Sequence, residues 1–354
     1  MLLTNADATR KRQRIAHGAT LVAVAFVAAN VTGCAGRTTS TAPTGASTPN
    51  VSERPAAAAP TARQVALVTV SSSARGIAAA PDGTVVIAGG NNNVRYFNAT
   101  NNTLEDASSP GDCRGIYDVN AGESTFDAAC GDNAMVYTYN FDGTPGGSFP
   151  VGKNPLAVAP VKGGIWVADD SGGTVYLIDD SGGAVKAMAP LEFAAELAGT
   201  ADGGVWAAGF PPPGSGAPTS SLHLLSATGT ETKTVPLTET ALALAVSSNV
   251  LYVAQEHHVE VLGADGTTPA RSVAAPSGRP LASTVAAVAG GAYFADTRGA
   301  VFFVTSTATI SRVTQLPTTY PHAIKLIVSA DGTSLYVLAR AADNHCALIR
   351  YALA

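Results

Sequence analysis

From Gln64 onward the chain alternates apolar and polar residues in short runs separated by Gly-, Asn- and Asp-rich turns, the pattern of β-strands joined by tight connections. The clearest unit begins Val151-Gly152-Lys153-Asn154-Pro155-Leu156-Ala157-Val158, continues through Gly164-Ile165-Trp166-Val167-Ala168-Asp169, and ends Thr174-Val175-Tyr176-Leu177-Ile178-Asp179. The bulky residue of its second strand recurs as Val86, Phe126, Trp166, Trp206, Tyr252, Tyr293 and Tyr336, with gaps of 40, 40, 40, 46, 41 and 43 residues. Two residues later, on the same strand face, stand Ala88, Ala128, Ala168, Ala208, Ala254, Ala295 and Leu338. Third strands follow at 94–98, 136–140, 175–179, 222–226, 259–263, 301–305 and 348–352, and fourth strands centre near Leu104, Phe149, Val185, Val235, Val273 and Val313.

The seventh repeat has no fourth strand, because the chain ends at Ala354, whereas Gln64 to Val70 is a strand left over before the first repeat. Letting the leftover strand complete the last sheet closes the array and removes an open edge. The expected fold is therefore all-β: a seven-bladed β-propeller closed by an N-terminal strand. A solenoid would need capping units at both ends instead. The insertion Phe210-Pro211-Pro212-Pro213-Gly214-Ser215-Gly216-Ala217-Pro218 in the fourth repeat leaves six or eight blades as alternative counts.

The third repeat resembles the YVTN-type repeat of YncE-like and surface-layer propellers: Gly-x-x-Pro, an alternating apolar strand, Val-Tyr-Val-Ala, then Thr-Val-x-Val-Ile-Asp. The likeness is good over residues 151–190 and partial in the first, fifth and seventh repeats. WD-repeat propellers match the period, but their Gly-His and Trp-Asp pairs are missing. The excess of 15 Arg over 6 Lys and the Ala-rich composition resemble a GC-rich actinobacterium, where propeller lipoproteins of this layout occur.

Upstream, Arg10, Lys11, Arg12 and Arg14 precede an apolar stretch from Ala19 to Ala29 that is short for a bilayer span and reads as a secretion signal. Val31-Thr32-Gly33-Cys34 follows and resembles the bacterial lipobox. That resemblance implies cleavage before Cys34, lipidation of its thiol and anchoring by two or three acyl chains. Residues 35–63 are almost entirely Thr, Ser, Ala and Pro, too polar to offset their ordering entropy by burial. They are expected to form a tether of about 95 Å at full stretch and about 30 Å on average. The organisation expected is a signal peptide over 1–33, lipidated Cys34 with its linker over 34–63, and a propeller over 64–354.

Composition narrows the function. Of 354 residues 13% are charged and the net charge is −5, falling to −8 once residues 1–33 are removed, which disfavours nucleic-acid binding. Cys113 precedes the first strand of the second repeat and Cys130 follows its second strand. A two-residue hairpin turn at Ala121-Gly122 would set them opposite each other, so a disulfide is expected outside the cytoplasm. Cys346 is left over and reads as a small buried apolar side chain.

In a propeller the segments entering each first strand and the loops leaving each second strand share one mouth, where functional groups collect. The candidate binding face comprises Arg75, Arg114, Lys153, Asn154, Asp169, Arg279, Asp296 and His322, with Glu192 or Glu196 and Glu239 from the fourth and fifth repeats. Such a mostly basic ring would attract an anionic ligand or an acidic loop of a partner. The Asp169-Asp170 and Asp179-Asp180 pairs read as turn chemistry. His257 and His258, adjacent on a strand, are expected to point to opposite faces and so not to share a metal.

No nucleophile elbow, zinc motif, phosphate loop or calcium loop is present. The sequence therefore predicts a non-enzymatic, lipid-anchored envelope module on the extracytoplasmic face of the cell membrane. It would be a monomer with no catalytic residue, metal or cofactor, binding an envelope protein or polysaccharide. The competing expectation is a propeller hydrolase or lyase acting on an envelope carbohydrate or lactone, using Asp169, Asp296 and His322.

Overall fold

The computed structural model describes residues 60–89, 94–106, 113, 115–180, 183–191, 193–210, 220–266, 270–276 and 278–354. Among them 28 strands form seven four-stranded antiparallel sheets. Blades 1 to 6 begin at Ala74, Ile116, Pro155, Glu196, Ala241 and Leu281, and each adds its strands outward in chain order. Blade 7 is built differently: inner strand His322–Val328, then Ser334–Arg340, then Cys346–Leu353, and outermost Ala62–Val70 from the start of the chain. Inner strands of successive blades touch around the ring, and that of blade 7 touches that of blade 1. The protein is a seven-bladed β-propeller closed as its repeat predicts, with the closing strand starting two residues earlier, at Ala62.

The recurrent large and small residues explain how the blades pack. Val86, Phe126, Trp166, Trp206, Tyr252, Tyr293 and Tyr336 are all buried, as are the small residues two positions on. The two indoles also find acceptors in later blades: Trp166 Nε1 donates to the Gly203 carbonyl at 3.0 Å and Trp206 Nε1 to that of Ala264 at 2.7 Å. A large apolar surface is thus removed from water while its one polar atom stays satisfied.

Register explains the cysteines and corrects their predicted geometry. The disulfide Cys113–Cys130 is present, with Cα atoms 5.7 Å apart. The hairpin, however, turns at exposed Glu123-Ser124, because Ala121 still pairs with Phe126 and the Gly122 amide bonds the Thr125 carbonyl at 2.8 Å. Cys130 therefore lies opposite Ile116. Cys113 stands three residues before that strand, in the segment that enters it. Replacing Cys130 with Ser is expected to cost about 3 kcal/mol through the lost loop constraint, measurable as a lowered urea midpoint; an unchanged midpoint would show that the entering segment is held by packing alone. Cys346 opens its strand fully buried, and burial pushes its thiol pKa up, so it is an inert core residue.

Candidate functional site

The last residue of each second strand stands at the mouth, and in several blades it secures the segment that enters the blade. In blade 3 this is Asp169, fully buried, whose Oδ2 accepts from the Lys153 amide and Oδ1 from the Asn154 amide, both at 2.8 Å. The carboxylate fits because Gly152 and Gly172 flank it; a Cβ at either would overlap it, and Gly152 also has φ +59°. Gln255 does the same in blade 5, accepting from the Glu239 amide at 2.9 Å. Cys130 does it covalently in blade 2. Asp296 turns instead on its own loop, accepting from the Arg298 and Ala300 amides at 2.9 Å.

The predicted face therefore resolves into local groups. Lys153, Asn154 and Asp169 lie together, Lys153 with its side chain exposed. Exposed His322 donates from Nδ1 to the Thr297 carbonyl at 3.1 Å, next to Asp296. Arg75 reaches across to blade 2 and lies 4.9 Å above the Tyr117 ring, a cation–π contact. Arg279 is half-buried and engaged. Asp132, Asp170, Glu256 and Asp343 lie in the loops that leave the second strands of blades 2, 3, 5 and 7, so among the described residues acidic groups share the rim with the basic ones. Cys34, Arg114, Glu192 and residues 211–218 of the proline arm lie outside the described residues.

The histidine pair departs from expectation. The strand ends at Gln255, so His257 sits in the turn and His258 begins the next strand. Both rings consequently meet one carboxylate: His257 Nδ1 lies 3.3 Å from Glu239 Oε1 and His258 Nδ1 3.2 Å from Glu239 Oε2. Nε2 of His258 faces Glu260 at 3.5 Å. Among the described residues, no group of three or more His, Cys, Asp or Glu is arranged to hold a metal ion.

A second polar set lies in the lumen, on the inner strands. Lys325 Nζ in blade 7 bonds Asp118 Oδ1 in blade 2 at 2.9 Å, passing blade 1. Asp118 Oδ2 accepts from the Val158 amide at 3.2 Å, and Asn120 Nδ2 donates to the Val158 carbonyl at 3.3 Å. Between blades 6 and 7, the Leu326 amide donates to Thr284 Oγ1 at 2.6 Å. These bonds stitch blades 2, 3, 6 and 7 through their inner strands. The inner strands of blades 2 and 7 carry register shifts just before Asp118 and Lys325, which re-phase the alternation and obscure these positions in a plain reading of the sequence.

Fold and mouth together define a propeller with a braced loop face. A chain in a crystal structure of the mitotic checkpoint complex is similar to it, at 12% identity with a TM-score of 0.63, over 81% of this chain and 94% of that one. As many as 1504 solved chains match, so this likeness carries the fold alone. No protein-family model matches the sequence, and no curated protein matches it either.

Proposed function

We propose that the chain is a lipid-anchored binding module of the cell envelope that presents its mouth to a protein or polysaccharide. The observation that carries this reading is the bracing of the mouth. Side chains at the strand ends fix the entering segments of blades 2, 3 and 5 in place, so a partner meets a surface that needs little reorganisation. The same bonds weigh against the hydrolase reading, because both oxygens of Asp169 already serve backbone amides, as does Oδ1 of Asp296. The lipobox-like Val31-Thr32-Gly33-Cys34 supports the anchor, and the linker over 34–63 supplies reach.

Fractionation tests the anchor. Cys34→Ala is expected to shift the protein from the detergent-extracted membrane fraction to the soluble or secreted one, and continued membrane retention would refute lipidation. For the mouth, the double charge reversal Arg75→Glu, Lys153→Glu is expected to lose most of the material captured from envelope extract by wild type; equal capture would remove the mouth from consideration.

A further inference from the structure

On the outer half of blade 4 a hydroxyl, an imidazole and a carboxylate line up on one face. Ser221 opens the third strand, Ser221–Leu225, and His223 follows two residues later on the same side. Ser221 Oγ and His223 Nε2 are 2.7 Å apart. Glu231 opens the fourth strand, Glu231–Pro236, and a register shift between Leu224 and Leu225 sets it opposite Leu225, on that same face. Its Oε2 lies 3.3 Å from His223 Nδ1, and its Oε1 accepts from Thr234 Oγ1.

This order fixes where the protons sit. His223 Nδ1 is sealed from solvent beside a carboxylate, so it carries the ring proton and Nε2 keeps a lone pair facing Ser221. Ser221 therefore donates its hydroxyl proton to His223. The Thr234 bond lowers the pKa of Glu231, burial opposes the shift, and His223 adds to the lowering, so the carboxylate stays ionised. Ser221 is half-buried, and Gly209 opposite it makes room for the ring: a Cβ there would come 3.2 Å from both His223 Nε2 and Leu191 Cδ1. Leu191 belongs with Ala207 and Leu225 to an apolar cluster shared with blade 3, so the reacting atoms stand beside an apolar wall.

We propose that Ser221 is the nucleophile of an esterase site, with His223 its general base and Glu231 the positioning residue, for carboxylic esters whose short apolar acyl group lies against Leu191. The activity goes beyond the binding role of the mouth and does not depend on it. Ser221 Oγ bonds to the ester carbonyl carbon as its proton passes to His223 Nε2; the ester C–O bond breaks and the departing alkoxide takes that proton. Water, deprotonated by the same Nε2, then attacks the acyl-serine and releases the carboxylic acid, the proton returning to Ser221 Oγ. Wild-type full chain treated with a fluorophosphonate and digested is expected to carry a single phosphonyl group, on Ser221, and to turn over p-nitrophenyl butyrate. Ser221→Ala is expected to lose both. His223→Gln is expected to slow both at least about 100-fold, the scale of a general base. Glu231→Gln is expected to lower kcat about tenfold or more with KM and circular dichroism unchanged, since it acts through His223 and not on the ester. Should a variant fail to fold, wild type decides alone, because p-nitrophenyl butyrate is expected to protect Ser221 from phosphonylation. A label elsewhere or nowhere, no protection by the ester, wild-type rates in His223→Gln, or a Glu231→Gln enzyme altered only in KM or not at all would each overturn the proposal.

Discussion

Deleting residues 62–70 is expected to lower the melting temperature of the whole propeller by roughly 10 °C or more and to make the protein self-associate. The strand is paired with Cys346–Leu353 along its full length, from Ala62 opposite Leu353 to Val70 opposite Cys346. Its buried end, Val70 with Val68 beside it, packs among Tyr336, Leu338, Leu348 and the blade 1 residues Ile77, Ile87 and Phe97. Removal would thus take away one sheet ladder and part of the apolar seam between the last blade and the first. In a chain of this size each kcal/mol lost moves the midpoint by about 2–4 °C. The edge left behind is mostly buried in the intact ring, which makes it a template for pairing with another copy. Calorimetry and light scattering on the truncated chain check both parts, and a peptide spanning residues 60–72 should restore the midpoint. A truncated protein that melts with wild type would mean that the ring closes without this strand.

Stability should also fall as pH rises from about 4 to about 7, and Asp127 should be the cause. This carboxyl sits on the second strand of blade 2 with 1% exposure. Burial pushes its pKa up from 3.8 to about 7; the bond from Thr125 works against the rise, and the charge of Asp180 adds to it. In the unfolded chain the group ionises near its ordinary value. Between those two pH values the folded state holds a proton that the unfolded state has released, so each step up in pH favours unfolding, and the loss levels off above pH 7. The full difference corresponds to roughly 4 kcal/mol. Asp127→Asn keeps the shape and the acceptor for Thr125 while removing the charge. The variant should match wild type near pH 4, exceed it by several kcal/mol at pH 8, and show a flatter profile in urea unfolding. Parallel profiles for the two proteins would mean that the carboxylate is accommodated in the fold.

The ring was legible because its period is enforced by packing. A bulky residue must fill the space against a neighbouring blade, with a small one beside it, and that demand repeats as Trp166 with Ala168 and Trp206 with Ala208. Closure was legible for a related reason: the third strand of blade 7 needs an outer partner, and Gln64 to Val70 had the right alternation. Local register was harder to read. Ala121-Gly122 looks like a turn, yet continuing the strand keeps Ala121 paired and places Glu123 and Ser124 in water. The disulfide followed all the same, because Cys113 lies in the segment that the end of that strand braces. The mouth was legible as a place and not as an arrangement. Asp169 and Asp296 look like free carboxylates in the sequence, and only coordinates reveal the amides that they serve. The luminal ion pair was harder still, since Asp118 and Lys325 come from blades 2 and 7 and meet only when the ring has closed.

The closing strand also settles which way the molecule is handled. It runs antiparallel to Cys346–Leu353, so its Ala62 end lies at the rear of the wheel and its Val70 end at the mouth. Thr61 and Ala354 bond each other there, each amide to the other's carbonyl, at 3.2 and 3.1 Å. Both ends of the propeller therefore leave from the back, and a dye, tag or fusion attached at either end leaves the front rim unobstructed. Tension drawn along the upstream chain while a partner grips the front would act lengthwise on the latch strand. It would load the latch's rungs together rather than peel them one at a time.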